Sequence, residues 1–131
     1  MPKKAILCVD DEKTVLISLK AQIKKHFGNN YTYEFAESAE EAWEVIEEFN
    51  EDDIEILIIV TDWLMPQMKG DEFLIQVHHK YPKIAKIMLT GQADEEAVER
   101  AQREANLLSC LRKPWQETEL INTIRSGLEK K

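Results

Sequence analysis

The chain has little of what marks several protein classes. Two cysteines in 131 residues, Cys8 and Cys110, are too few for a disulfide scaffold, and they lack metal-ligand spacing. Both fall inside expected strands and read as structural thiols of a reducing compartment. Four glycines and four prolines mark no flexible linker or low-complexity segment. No apolar run approaches the roughly 18 residues that a membrane-spanning helix needs. The apolar stretch within the first ten residues is too short for a signal peptide. Positive charge is scarce as well, with 17 lysines and arginines against 25 acidic residues and a net charge of −8. That balance argues against nonspecific nucleic-acid binding, which draws on basic surface. No G-x-S-x-G, Walker or G-x-G-x-x-G pattern occurs, so hydrolase, nucleotide-phosphatase and dinucleotide readings lack support. The expectation is one domain over residues 1–131, cytoplasmic, without direct contact to nucleic acid or membrane.

What is present is a set of short apolar runs that stop at polar residues. Ile54 to Gly70 reads I-E-I-L-I-I-V-T-D-W-L-M-P-Q-M-K-G. Its apolar part, Ile56 to Val60, predicts a strand buried on both faces. Asp62 stands where that strand should end, and Met65-Pro66 and Gly70 signal loop and turn. Ala5 to Val9 is a second such run, and it stops at Asp10-Asp11-Glu12. Tyr31 to Ala36, Ile84 to Leu89 and Leu107 to Leu111 predict three more strands.

Amphipathic stretches lie between and after them. Leu16, Leu19, Ile23 and Phe27 predict a helix closed by Gly28-Asn29-Asn30. Ser38 is a natural N-cap with Glu41 at the capping-box position, and the helix behind it should bury Ala39, Ala42, Trp43, Ile46 and Phe49. Phe73, Leu74, Val77 and Tyr81 mark a third helix ended by Pro82. Asp94 to Asn106 carries only a thin stripe of Ala97, Val98, Ala101 and Ala105 and should be the most loosely held helix. Leu120, Ile121, Ile124 and Leu128 mark the last. Five strands alternating with five helices predict an α/β, flavodoxin-like, doubly wound parallel sheet. Right-handed crossovers and the polar second strand favour the order 2-1-3-4-5.

In such sheets ligands bind beyond the carboxyl ends of the strands. Those ends carry Asp10, Asp11 and Glu12 on the first strand, Asp62 on the third, Thr90 on the fourth and Lys113 on the fifth. Converging carboxylates repel unless a cation sits among them. Hard oxygen ligands without Cys or His point to Mg²⁺ or Mn²⁺. A carboxylate nucleophile, a metal, a lysine and a hydroxyl are the parts that phosphoryl transfer uses.

Val9 to Glu12, Thr61 to Gly70, Leu89-Thr90-Gly91 and Lys113-Pro114-Trp115 resemble the response-regulator receiver domain of two-component signalling. The resemblance covers essentially the whole chain, and the D-x-x-M-P-x-M-x-G block is its most specific part. It implies that Asp62 is the phosphoacceptor, attacking the phosphohistidine of a sensor kinase or phosphotransfer protein. It implies that Asp10, Asp11, Asp62 and the backbone carbonyl of Leu64 hold Mg²⁺. Thr90 would donate to the phosphoryl group, Lys113 would pair with it, and Lys113-Pro114 would be a cis peptide bond. Gly70 fits the family's turn after the acceptor loop. The chain would be a signalling phosphoacceptor, not a metabolic enzyme, that switches the helix 4–strand 5–helix 5 surface toward an output domain or target. A monomer or a weak homodimer through the fourth and fifth helices suits it.

One position departs from that family. Cys110 stands three residues before the lysine, where a Tyr or Phe usually swings with the threonine. Movement of the fourth helix is therefore expected to carry the signal. Leu64 and Gln92 are the neighbours expected to tune the phosphoryl lifetime, and apolar Leu64 favours a long one. Rival readings are a metal-dependent phosphatase, which would want a carboxylate at Leu64, and a flavodoxin-type binder, whose phosphate Asp10-Asp11-Glu12 would repel. A phosphorylation-independent interaction module would usually have lost one of the key residues. His26, His78 and His79 read as surface or boundary residues, Trp63 as a partly exposed loop residue, Trp43 as core, and Trp115 as packed at the start of the last helix. The glutamates from Glu40 to Glu48 read as a solvated helix face.

Overall fold

The computed structural model describes residues 3–91 and 95–129. Five strands and five helices alternate in it: β1 (Lys3–Val9), α1 (Lys13–Phe27), β2 (Thr32–Ala36), α2 (Ala39–Glu51), β3 (Ile54–Asp62), α3 (Gly70–Lys80), β4 (Ala85–Thr90), α4 (Glu95–Glu104), β5 (Ser109–Arg112) and α5 (Glu117–Glu129). All the strand pairings are parallel, in the order β2-β1-β3-β4-β5. The expected flavodoxin-like topology is therefore the observed one.

Two apolar layers cover the sheet. One face packs against α2, α3 and α4 through residues such as Ala42, Ile46, Phe73, Leu74, Val77 and Ala101. The other packs against α1 and α5 through Leu16, Leu19, Ile23, Leu120, Ile121 and Ile124. β3, the longest strand, runs between them with its residues from Ile56 to Asp62 all buried. This is why its sequence is apolar without alternation. The β1–β3 register shifts between Ala5 and Ile6, which leaves Leu57 as an extra residue and puts Leu57 and Ile58 in the same apolar layer. β2 is half-buried except at Ala36, as an edge strand with polar interruptions should be.

Local signals explain most boundaries. Gly28 ends α1 at φ 63°, a left-handed conformation that glycine adopts without penalty, and its N–H donates to the Lys24 carbonyl at 2.8 Å. The Ser38 hydroxyl accepts from the Glu41 N–H at 3.1 Å at the start of α2. Tyr81 closes α3 before Pro82. Gly127 lets α5 lie close against the sheet, since a Cβ there would sit 3.0 Å from both Ile58 Cδ1 and Leu108 Cδ2.

Several expectations need correction. α4 ends at Glu104, because Asn106 takes φ 52° and leaves the helix. Its expected first residue, Asp94, lies outside the described residues. Leu107 and Leu108 precede β5 instead of starting it, and the Leu107 N–H turns back to the Ala101 carbonyl. Trp43 is only half-buried, packing edge-on to Phe73 while its indole N–H reaches Gln76 Oε1 at 3.1 Å. Trp63 is buried instead of partly exposed, because its indole N–H finds Asp71. Trp115 packs where expected, donating to Gln22 Oε1 at 2.7 Å. No helix among the described residues is long and apolar enough to cross a membrane.

Candidate functional site

The parallel order brings the ends of β1, β3, β4 and β5 to one edge of the sheet. Val9 pairs with Thr61, Asp62 with Leu89, and Thr90 with Arg112. The residue after β1, the last residues of β3 and β4, and the residue after β5 therefore meet. These are Asp10, Asp62, Thr90 and Lys113.

Asp10 is fully buried and fixed from both sides. Its N–H donates to the Ala36 carbonyl at 3.0 Å, and its Oδ1 accepts from the Glu12 N–H at 2.8 Å. Asp62 is 5% exposed and Asp11 lies in solvent. One carboxylate oxygen from each of Asp10, Asp11 and Asp62 falls within 4.8 Å of the others. Lys113 Nζ bridges the two buried ones, 2.8 Å from Asp10 Oδ2 and 3.0 Å from Asp62 Oδ1. The Lys113 N–H donates to the Thr90 carbonyl at 2.8 Å, and the bond to Pro114 is cis, as expected. Thr90 is buried at the end of β4.

The electrostatics follow from this crowding. Burial first, and then the Asp10 charge, push the Asp62 carboxyl up from 3.8 to about 6, against the opposing hydrogen bond from Lys113. Burial acts to lower the Lys113 ammonium, but its hydrogen bonds to Asp10 and Asp62 outweigh that and leave it raised. Three carboxylates against one ammonium leave a deficit of two positive charges, −3 plus +1. An all-oxygen donor set with that deficit fits a small hard dication.

The segment after Asp62 is shaped by close backbone packing. The Gly70 N–H donates to the Trp63 carbonyl at 2.7 Å. A Cβ on Gly70 would collide with the Asp62 carbonyl oxygen, so only glycine fits there. Gln67 holds φ 72° within this loop. Leu64, two residues after Asp62, is 53% exposed. Gln92, the other residue expected to tune lifetime, lies outside the described residues. Cys110 is half-buried in β5, and burial raises its thiol.

The residues that sequence reasoning missed are Asp71 and Arg100. Asp71 is buried at the start of α3 and accepts from the Trp63 indole at 3.1 Å, and Arg100 approaches it from α4. An acid in the first turn of a helix ordinarily signals only a favourable helix dipole. The histidines stay away from the strand ends: His26 meets Glu117 at 2.9 Å and His78 meets Lys86 at 3.1 Å.

Comparison with known proteins gives a family match over most of the chain. The family model for the response regulator receiver domain matches residues 6–125. The chain is 32% identical over 95 residues to a chemotaxis protein CheY homolog of Campylobacter jejuni, covering 71% of this chain and 68% of that one. It is 34% identical over 74 residues to the hydrogenase transcriptional regulatory protein HoxA of Cupriavidus necator, 56% of this chain. It spans 15% of that regulator's length. The signal receiver domain of an HD domain-containing protein from Pseudomonas fluorescens Pf-5 superposes with a TM-score of 0.86 at 29% identity, covering 98% of this chain and 96% of that one.

Proposed function

Because this chain belongs to the response-regulator receiver family, we propose that it accepts a phosphoryl group on Asp62 from the phosphohistidine of a sensor kinase or phosphotransfer protein. The observation that carries the reading is the bridging of buried Asp10 and Asp62 by Lys113 at 2.8 and 3.0 Å. A carboxyl near 6 is about nine-tenths ionised at pH 7 and more basic than a solvated aspartate, as a nucleophile should be. An Asp62 oxygen forms the new bond to phosphorus while the phosphorus–nitrogen bond breaks, its electron pair staying on the imidazole. Lys113 then meets the added negative charge, and the Thr90 hydroxyl donates to a phosphoryl oxygen.

Asp10, Asp11 and Asp62, with the Leu64 backbone carbonyl, would hold Mg²⁺, and Mn²⁺ would substitute. When bound, the dication neutralises charge on the phosphoryl oxygens. Asp10 is held ready for that role by its two backbone hydrogen bonds. The chain is a signalling phosphoacceptor in this reading, turning over only its own phosphoryl group.

Output passes through the α4–β5–α5 surface to an output domain or target protein. With Cys110 in place of an aromatic side chain, movement of α4 carries the change. α4 buries only alanines, Ala97 and Ala101, so its seat costs little to alter. Crystal structures with and without beryllofluoride that superpose at α4 would refute that part.

The chemistry is tested by intact mass after incubation with acetyl phosphate and Mg²⁺, comparing the wild type with Asp62→Ala. A gain of one phosphoryl group that needs both Mg²⁺ and Asp62 is expected. No gain with any metal would leave a phosphorylation-independent interaction module and refute the proposal.

A further inference from the structure

Trp63 stands directly after Asp62, and its place is set by three hydrogen bonds and a cation over its ring. Its backbone N–H donates to the Leu89 carbonyl at 2.8 Å, and its carbonyl accepts from Gly70 at 2.7 Å. Its indole N–H donates to Asp71 Oδ1 at 3.1 Å, with Lys69 Nζ over the ring at 5.1 Å. Asp71 is 4% exposed, and its other oxygen, Oδ2, lies 3.7 Å from Arg100 Nη1 on α4. Arg100 is half-exposed and shared, since its Nε lies 3.4 Å from Glu104 Oε2 on the same helix. One cation thus has two acidic partners, the first on α3 and the second on α4. The one guanidinium reaches both acids at once, so a change at either can bias where it sits, which is the kind of element a coupling between sites requires.

We propose that Asp71 is a positioning residue that couples the acceptor to α4, holding the Trp63 indole with one oxygen and drawing Arg100 with the other. This rests on the Asp62 phosphoacceptor reading and adds a route that Cys110 cannot supply. A phosphoryl group on Asp62 shifts the adjoining Trp63 backbone, and the indole moves with it. Asp71 follows the indole, and Arg100 redistributes between Asp71 and Glu104. By reciprocity, a partner that seats α4 changes how readily Asp62 is charged.

The test labels the whole chain with 5-fluorotryptophan, whose three indoles give separate fluorine resonances, Trp63 being assigned from Trp63→Phe. Intact mass, the Trp63 resonance and hydrogen exchange of α4 are read with and without acetyl phosphate and Mg²⁺. In the unmodified chain all three are expected to respond. In Arg100→Gln the mass gain and the Trp63 shift persist, while the α4 exchange response falls about two- to fivefold, the range of a half-exposed ion pair. Asp71→Asn, which still accepts from the indole, gives the same split, and Arg100→Lys restores part of the α4 response. An unchanged α4 response in both Arg100→Gln and Asp71→Asn, with phosphorylation intact, would overturn the coupling alone. Equal acceleration of α4 exchange with and without phosphorylation would reduce Arg100 to a structural anchor and overturn it too. Absence of any mass gain in the unmodified chain would overturn the phosphoacceptor reading, and this inference with it.

Discussion

Replacing Asp62 with asparagine should stabilise the metal-free protein at neutral pH. The folded-state carboxyl sits at about 6 against 3.8 for the free group, raised first by burial and next by Asp10. At about 1.36 kcal/mol per pH unit, that shift makes an ionised Asp62 worth up to about 3 kcal/mol of destabilisation. The side chain is only 7% exposed, yet it lies at the sheet edge beside solvent-exposed Asp11. The figure of about 3 kcal/mol is therefore an upper bound that solvent screening lowers. Asparagine keeps the size and can still accept from Lys113, but it loses the charge part of that pairing. A net gain of about 1–3 kcal/mol is expected, or roughly 3–15 °C in Tm for a domain of this size.

The sign with pH is fixed by the same shift. Between about 4 and about 6 the folded chain binds more protons at Asp62 than the unfolded chain, so wild-type stability from this group falls as pH rises. Below pH 4 the group is protonated in both states and the penalty vanishes. The advantage of Asp62→Asn should therefore be small at pH 4 and full by pH 7. Thermal unfolding followed by circular dichroism in EDTA at pH 4, 5, 6 and 7 measures it. Added Mg²⁺ should close the gap by stabilising the wild type more, since ligand at 100 times Kd contributes about 2.7 kcal/mol. A variant that melts below the wild type in EDTA at pH 7, or a gap independent of pH, would refute the reasoning.

Two other substitutions probe the loop after Asp62. Gly70→Ala drives a Cβ onto the Asp62 carbonyl oxygen, backbone that cannot yield cheaply. It should cost about 2–4 kcal/mol by urea unfolding and impair phosphoryl acceptance in the intact-mass assay. Leu64→Asn puts a polar group at an exposed position two residues after Asp62, where leucine cannot orient water. Phosphoryl decay, followed as released phosphate, should quicken several-fold, and an unchanged rate would count against a lifetime set at this position.

The sheet was legible because its strands announce themselves in two ways. β3 and β1 are apolar runs too short for helices, and each stops at acid, which both marks the strand end and names the site. Ser38, Gly28 and Pro82 punctuate the helices through capping and ring geometry that act locally. The clustering of Asp10, Asp62 and Lys113 followed from topology alone, since a 2-1-3-4-5 order leaves those ends adjacent. What remained hidden depends on contacts between elements. The end of α4 is the exception, since it stops near Glu104 where Asn106 adopts a left-handed conformation, and asparagine is itself a local stop signal for it.

Trp63 is the sharpest case of a contact that no local pattern encodes. A tryptophan in a loop reads as partly exposed, because burying its N–H without a partner costs on the order of 1–3 kcal/mol. The partner is Asp71, eight residues away and across the Gly70 turn, and the turn closes only because Gly70 has no Cβ. Asp71 in turn is buried with its charge, which a carboxylate tolerates when it accepts a hydrogen bond and faces a cation. The cation comes from Arg100 on a helix that is remote in sequence. Three residues that each look ordinary alone therefore depend on one another: removing the Arg100 charge leaves Asp71 facing only the indole, and removing Asp71 leaves the indole without its acceptor. The chain lacks an aromatic side chain at position 110, yet it has an indole directly after Asp62 that is tied through Asp71 to Arg100 on α4. Under the proposed coupling, Arg100 between Asp71 and Glu104 is the side chain whose seat Asp62 and α4 would both bias.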